Sequence, residues 1–479
     1  MKFSKLKLTT PYLKLDPLFF DEVEPTPLDN PFVISTSQDA AKLLGIDEDL
    51  NLDEKLLEIV NGSIKLEGSQ TFAMCYAGHQ FGHFSPRLGD GRAINLGKIN
   101  GQNLQLKGSG LTLYSREGDG RAVLRSSIRE YLMSEAMHGL GIATSRALAL
   151  IGSDTDVARE RWEKGAIVLR LSPTWVRFGT FEYFNSQRKT SMLQDLADYV
   201  LKESFPHLVG EEDCYMKMYA EIVKNTATTI AGWISVGFNH GVLNTDNMSI
   251  DGRTIDYGPF AFLDDYESHY VCNHTDHEGR YSFKSQIGIG HWNLERLAMA
   301  LSPIINYEYA CAILDTVYYE AYEDAYLARM RKRLGLFVDN QSDKGFIGSM
   351  LGSLSNATID FNLFFRKLSS YDGNKTPLLD IAVSRAPIEK FLAMYDERLK
   401  KETLSQNERH QKMLGVNPKY ILKNHILQMA IENAKIDDFT MVNDLLKVAL
   451  SPCEEHVELE YLCIATPQKA KNIKLSCSS

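Results

Sequence analysis

The chain has 479 residues, 44% of them hydrophobic and 24% charged, with 33 Gly and 15 Pro; these ordinary proportions exclude a disordered chain, a collagen-like repeat or a disulfide-dense mini-protein. Lys and Arg number 52 against 62 Asp and Glu, a net charge of −10, so the chain as a whole has no electrostatic footprint for nucleic acid. Seven scattered Cys without a CxxC pair point to a reducing, cytoplasmic setting, and no run of about 18 apolar residues is available to span a membrane.

At about 150 residues per domain the length suggests two or three domains. Residues 1–60 are broken by Pro11, Pro17, Pro25, Pro27 and Pro31 and read as an extended segment packed on the rest, with a short helix at Ser37–Leu44. The opening stretch carries no apolar signal core. From 61 to 188 glycines cluster and short β-type runs appear at Ala93–Ile99, Leu104–Lys107 and Ala166–Ser172. Alternation puts Leu104 and Leu106 on one face and Gln105 and Lys107 on the other. Arg121–Leu140 repeats apolar residues at helical spacing, with Gly139 and Gly141 as its stop.

From 189 to 450 the pattern is helical, over Met192–Phe205, Asp213–Ser235, His291–Leu301, Tyr307–Leu334, Pro387–Lys401 and Asp438–Leu450. Pro387 suits a first helical position. A polar loop at 239–285 interrupts these helices, and Arg329–Arg333 reads as a solvated basic face rather than a nucleic-acid patch. Residues 451–479 read as a polar tail.

Chemistry is suggested first by a doubled motif. Gly89-Asp90-Gly91-Arg92 recurs as Gly118-Asp119-Gly120-Arg121. Glycine lets backbone N–H groups approach phosphate oxygens, and Arg pairs with phosphate bidentately. Two tight turns with surface arginines are the plainer alternative. Arg170 and Arg177 add positive charge on, and just past, a predicted strand. Lys107 on a strand followed by Glu130 on a helix is the pairing by which kinase-type folds hold nucleotide phosphates, although each residue type is more often simply exposed.

The sharpest signal is His240-Gly-Val-Leu-Asn-Thr-Asp-Asn247, followed by Asp256-Tyr-Gly258. It overlays the kinase catalytic loop H-R-D-L-x-x-x-N and D-F-G at His240, Leu243, Asn247 and Asp256. Asn247 and Asp256 then supply oxygens for Mg²⁺ beside substrate phosphates. The kinase base position is Val242, which accepts no proton. The chain is therefore either a non-catalytic nucleotide binder or an enzyme doing other chemistry on ATP, with Asp246 the nearest alternative carboxylate.

These segments, with Tyr76–His83, Leu106–Gly110, Tyr114-Ser-Arg116 and Arg177–Glu182, resemble the selenoprotein O family in family order along the whole chain. The resemblance implies an α+β, protein-kinase-like bilobal fold: a β-containing N-lobe over 61–188 and a helical C-lobe over 189–450, flanked by terminal extensions 1–60 and 451–479. It implies AMPylation, in which ATP bound in a flipped orientation gives AMP to a protein Ser, Thr or Tyr hydroxyl and pyrophosphate leaves. Carried over by position, Gly89, Gly91, Arg92, Lys107, Asp119, Gly120, Arg170, Arg177 and Asp256 hold the nucleotide. Glu130 pairs with Lys107, Asp246 accepts the proton, and Asn247 and Asp256 hold Mg²⁺ or Mn²⁺. The resemblance also implies a regulatory disulfide between Cys272 and Cys477. Zinc on His269, Cys272, His274 and His277 competes with that disulfide. The expected partners are nucleotide and protein substrates, without nucleic acid or membrane, for a monomer. UMP transfer from UTP to Tyr or His, an ATP-binding pseudokinase scaffold and a small-molecule kinase are the alternatives. Leu113 departs from the family's T-P-Y-S-R segment at Pro, and Cys477 stands where other members carry selenocysteine.

Overall fold

The computed structural model describes residues 1–479 except 472, 474 and 476–479. Among the described residues twelve strands form: β1 (Phe20–Glu22), β2 (Phe32–Thr36), β3 (Phe72–Met74), β4 (Gly78–Gln80), β5 (His83–Ser85), β6 (Ala93–Ile99), β7 (Gln102–Lys107), β8 (Ala122–Val123), β9 (Arg146–Ala158), β10 (Trp162–Ser172), β11 (Phe238–Asn239) and β12 (Ala261–Phe262). Eight of them make one antiparallel sheet in the order β1-β3-β6-β7-β10-β9-β2, with β8 also on β10. The hairpin β4–β5 and the two-stranded sheet β11–β12 stand apart. From residue 178 on, the longer elements are helices. No helix among the described residues is long and apolar enough to cross a membrane.

Side-chain alternation along β7 and β10 divides the sheet between two cores. Leu104, Leu106, Ile167, Leu169 and Leu171 face a layer built from residues 3–66, including Phe3, Leu6, Leu44 and Ile59. On the opposite face Val168 joins the larger core with helix Leu124–Gly139 and the helices beyond it. That second face also carries Gln105, Lys107 and Arg170, all buried. The sheet thus directs its charged strand residues inward, toward the helix that holds Glu130.

Several sequence expectations change. Residues 1–60 are more than an extended segment, since β1 and β2 are sheet strands. The helix expected from Arg121 begins at Leu124, because Ala122 and Val123 pair with β10. It ends as Gly141 turns left-handed at φ +66°, whereas Gly139 is helical and lets the Ala449 carbonyl close to within 2.0 Å of where a Cβ would sit. Pro387 is the third residue of a helix that starts at Arg385. The loop 239–285 is polar in composition but mostly buried over 239–263.

Arg329–Arg333 is no solvated face. Arg333 is buried and donates to Asn417 Oδ1 at 2.9 Å, Asn362 Oδ1 at 3.0 Å and the Ser235 carbonyl, while Arg331 pairs with Asp343 at 2.8 Å. The stretch after 451 packs as well: Leu459, Leu462 and Leu475 are buried, and Leu475 bridges to Asn273.

Candidate active site

Lys107 closes β7 opposite Val168 and Ala93, which places its ammonium over helix Leu124–Gly139. Its Nζ lies 2.5 Å from Glu130 Oε2 and donates to Asp256 Oδ1 at 2.9 Å. Arg170 approaches Glu130 from the other side, donating to Oε1 at 2.6 Å, to the Ile255 carbonyl at 3.1 Å and to Gln105 Oε1. Stacked over Trp175 at 4.6 Å and almost fully buried, Arg170 forms the wall behind the Lys107–Glu130 pair. Burial alone would push the Asp256 carboxyl up. The Lys107 ammonium, with Arg170 and Arg177 beyond it, outweighs burial and holds that carboxyl well below the usual range.

The segment after helix Cys214–Val236 turns tightly. Gly241 has φ +77°, and a Cβ there would lie 2.5 Å from the Pro259 carbonyl, so only glycine fits. His240 is buried against Trp233, with ring centroids 5.3 Å apart, and Val242 is buried too. A 3₁₀ turn at Thr245–Asn247 then presents Asp246 to the cleft. Arg177 donates to the Asp246 backbone carbonyl at 2.8 Å, and Gln80 to its Oδ2 at 3.1 Å; Oδ1 is buried without a partner. Burial, only partly offset by Gln80 and Arg177, pushes the Asp246 carboxyl up to about 6. A carboxyl so placed can take a proton near neutral pH.

Gly89, Gly91, Arg92, Lys107, Asp119, Gly120, Arg170, Arg177, Asp246, Asn247 and Asp256 line one cleft of about 410 Å³, within the ~300–1,000 Å³ usual for small-molecule sites. A branch of about 270 Å³ runs on past Glu130, Val242 and Gly258. Both doubled motifs are therefore more than surface turns. Gly89 at φ +120° lets the Tyr114 ring lie against the backbone, and Gly120 at φ +69° admits the Gly110 carbonyl. Asp119 takes the Arg159 guanidinium at 2.7 Å and the Arg121 N–H at 2.9 Å. Arg116, Arg121 and Arg159 join the lining as well, so six arginines and one lysine surround the cleft. Arg92 and Arg116 pair with no carboxylate among the described residues.

Sequence reasoning named neither Gln80 nor Arg116 as a site residue, although both lie inside segments it singled out. Arg159, on the β9–β10 turn, has no local signal; only the fold brings it to Asp119.

The donor set suits a hard divalent cation. Asn247 spends its amide N–H on the Val242 carbonyl at 3.1 Å, leaving its carbonyl oxygen, and Asp256 stays ionised. Few protein oxygens plus substrate phosphates is the usual environment of such an ion. No cluster of three His, Cys, Asp or Glu side chains forms among the described residues; His269, Cys272, His274 and His277 thus do not converge on zinc. Cys272 is buried with its thiol donating to the Pro259 carbonyl at 2.7 Å, and burial pushes that thiol well up. Cys477 lies outside the described residues.

An arginine-rich cleft with a carboxylate placed to accept a proton suits group transfer from a phosphate-bearing substrate. Residues 2–449 match the family described as Protein adenylyltransferase SelO. Relatives called Protein nucleotidyltransferase YdiU are 43% identical in Myxococcus xanthus, over 99% of both chains, and 44% identical in Aliivibrio salmonicida, over 100% of this chain and 99% of that one. One in Klebsiella pneumoniae is 44% identical over 99% of this chain and all of its own. The chain belongs to the SelO family and is an enzyme of the nucleotidyltransferase class.

Proposed function

We propose that the protein transfers AMP from ATP to Ser, Thr or Tyr hydroxyls of other proteins, on a protein-kinase-like bilobal frame that runs from an N-lobe at 61–188 to a C-lobe at 189–450. The observation that carries this reading is the pairing of a buried Val242 at the kinase base position with Asp246 four residues on, raised to about 6 and facing the cleft. A kinase-like loop without its carboxylate is unsuited to ordinary γ-phosphoryl transfer, while a displaced base suits attack elsewhere on the nucleotide.

In this reading the arginine-rich end of the cleft takes the β- and γ-phosphates, which turns the α-phosphate toward Asp246. Lys107, fixed by Glu130, and Arg92, Arg116 and Arg177 stabilise the negative charge that gathers on departing pyrophosphate. Asp246 Oδ1 receives the acceptor hydroxyl's proton as its oxygen bonds to the α-phosphorus. Glycines 89, 91 and 120 let the backbone approach the phosphates. A Mg²⁺ or Mn²⁺ ion held by Asn247 and Asp256 would supply further charge neutralisation at the phosphates.

UTP is the competing donor, because nothing in the phosphate end reads the base. Intact-mass analysis of an acceptor protein incubated with equal ATP and UTP decides between them. An adenylyl increment is expected; a uridylyl increment alone would overturn the choice of donor.

A further inference from the structure

Against the tip of the hairpin whose Gln80 holds Asp246 sits a positive charge that the mechanism does not use. Arg280 lies over the Trp292 ring at 4.7 Å and near the Tyr281 ring at 5.8 Å. Its Nε is buried without a partner, and no Asp or Glu pairs with its guanidinium among the described residues. It does not line the nucleotide cleft. Arg296, on the same Trp292 ring at 5.1 Å, is spent on Glu295 at 2.7 Å.

The place of this guanidinium is fixed by the β4–β5 hairpin. A Cβ on Gly82 at the tip would meet Arg280 Cζ at 3.4 Å. Two residues before Gly82, Gln80 holds Asp246. Phe81 donates its N–H to Tyr281 OH at 2.8 Å, and Tyr281 OH donates to Asn244 at 2.6 Å. Trp292 also meets the His79 ring edge-on at 5.4 Å. Beside this frame Phe81 and Phe84 are exposed, at 37% and 40%. An Arg clamped by aromatic faces keeps the edge of its fork for a carboxylate, with little side-chain freedom left to lose on binding.

We propose that Arg280 is a specificity-determining residue for the acceptor: it pairs with an Asp or Glu side chain of the protein substrate close to the modified hydroxyl, with Phe81 and Phe84 flanking the bound segment. The inference rests on the proposed transfer reaction. The chain's net charge of −10 does not oppose it, since distant charges are screened beyond a Debye length of about 8 Å at physiological salt while a contact pair is not.

The test uses the full-length enzyme, α-labelled ATP and synthetic peptides with one central Ser, Thr or Tyr and Glu, Gln or Lys at each flanking position in turn. At one or more positions the wild type should label the Glu peptide with kcat/KM about tenfold above the Gln peptide. Arg280→Gln should level that ratio, and Arg280→Glu should reverse it in favour of Lys. A purely structural Arg280 would lower every peptide alike and leave the ratios standing. Equal labelling of Glu and Gln peptides by the wild type at every position, or an unchanged Glu preference in Arg280→Glu, would overturn the proposal. Label on no peptide and on no protein would overturn the transfer reaction itself, and this inference with it.

Discussion

Gln80 donates to Asp246 Oδ2 at 3.1 Å and so ties hairpin β4–β5 to the 3₁₀ turn at Thr245–Asn247. The tie is one part of a closed network. His79 N–H donates to Thr245 Oγ1 at 2.7 Å, Thr245 Oγ1 donates to Glu182 Oε2 at 2.5 Å, and Glu182 Oε1 lies 2.6 Å from His79 Nδ1. Gly78 packs so closely that a Cβ there would lie 2.8 Å from Asp246 Oδ1. The hairpin therefore sets both the position and the rotamer of the proposed proton acceptor.

Replacing Gln80 by Leu frees Asp246 to turn while leaving the phosphate end intact. Loss of one hydrogen bond to a charged group costs about 1.5–3 kcal/mol; kcat should fall at least tenfold with KM for ATP little changed. Gly78→Ala should reduce kcat further, since the added methyl displaces Asp246 itself. Steady-state kinetics on both variants, with thermal melts as the folding control, check this. A rise in KM alone would place Gln80 in ATP binding instead.

Lys107 is the only ammonium that bonds both Glu130 and Asp256 among the described residues. Lys107→Met leaves both carboxylates facing the phosphates without it. Weakening of ATP binding by about tenfold or more is expected, measured by calorimetry with and without Mg²⁺. Unchanged affinity would remove Lys107 from the phosphate site.

Acid stability should report on Asp343. The carboxylate is buried at the start of helix Asp343–Ala357, takes Arg398 Nε and Arg331 Nε at 2.8 Å each, and is held below its ordinary pKa because these pairs outweigh burial. A folded-state pKa below the unfolded value of about 3.9 means the stabilisation is complete above that value and is lost as pH falls through the folded pKa. Melting temperatures from pH 7 to pH 2 should show wild type well above Asp343→Asn at neutral pH and the gap closing below about pH 4. A constant gap would contradict the linkage.

Arg333 makes a second stability prediction. Its guanidinium satisfies Ser235, Asn362 and Asn417 and lies 3.8 Å from the Phe365 ring centre. Arg333→Met strands those buried acceptors, at about 1–3 kcal/mol for each one left unsatisfied. Urea unfolding should show a clear fall in midpoint with little change in m; a change within error would mean the neighbours re-pair.

Strands with local alternation were legible in the sequence: β6 has the expected bounds, and the Leu104/Leu106 face lies where period two puts it. β9 was not, because its Ala-Leu-Ala-Leu-Ile run is buried on both faces and loses the alternation that marks a strand. Arg333 was misread because residue type forecasts exposure, while its amide partners lie on distant segments. At the site, Lys107, Glu130, Asn247 and Asp256 stand in recognisable motifs. Gln80 and Arg280 matter only through contacts made across the fold, and no local pattern announces such contacts.

The most direct measurement follows label from ATP carrying it at the α- or the γ-phosphate onto protein, with Mg²⁺ or Mn²⁺, for wild type and Asp246→Asn. Transfer of α-label alone by wild type, and its loss in the variant, is the predicted result. Transfer of γ-label would mean phosphoryl transfer without a carboxylate at Val242 and would contradict the account.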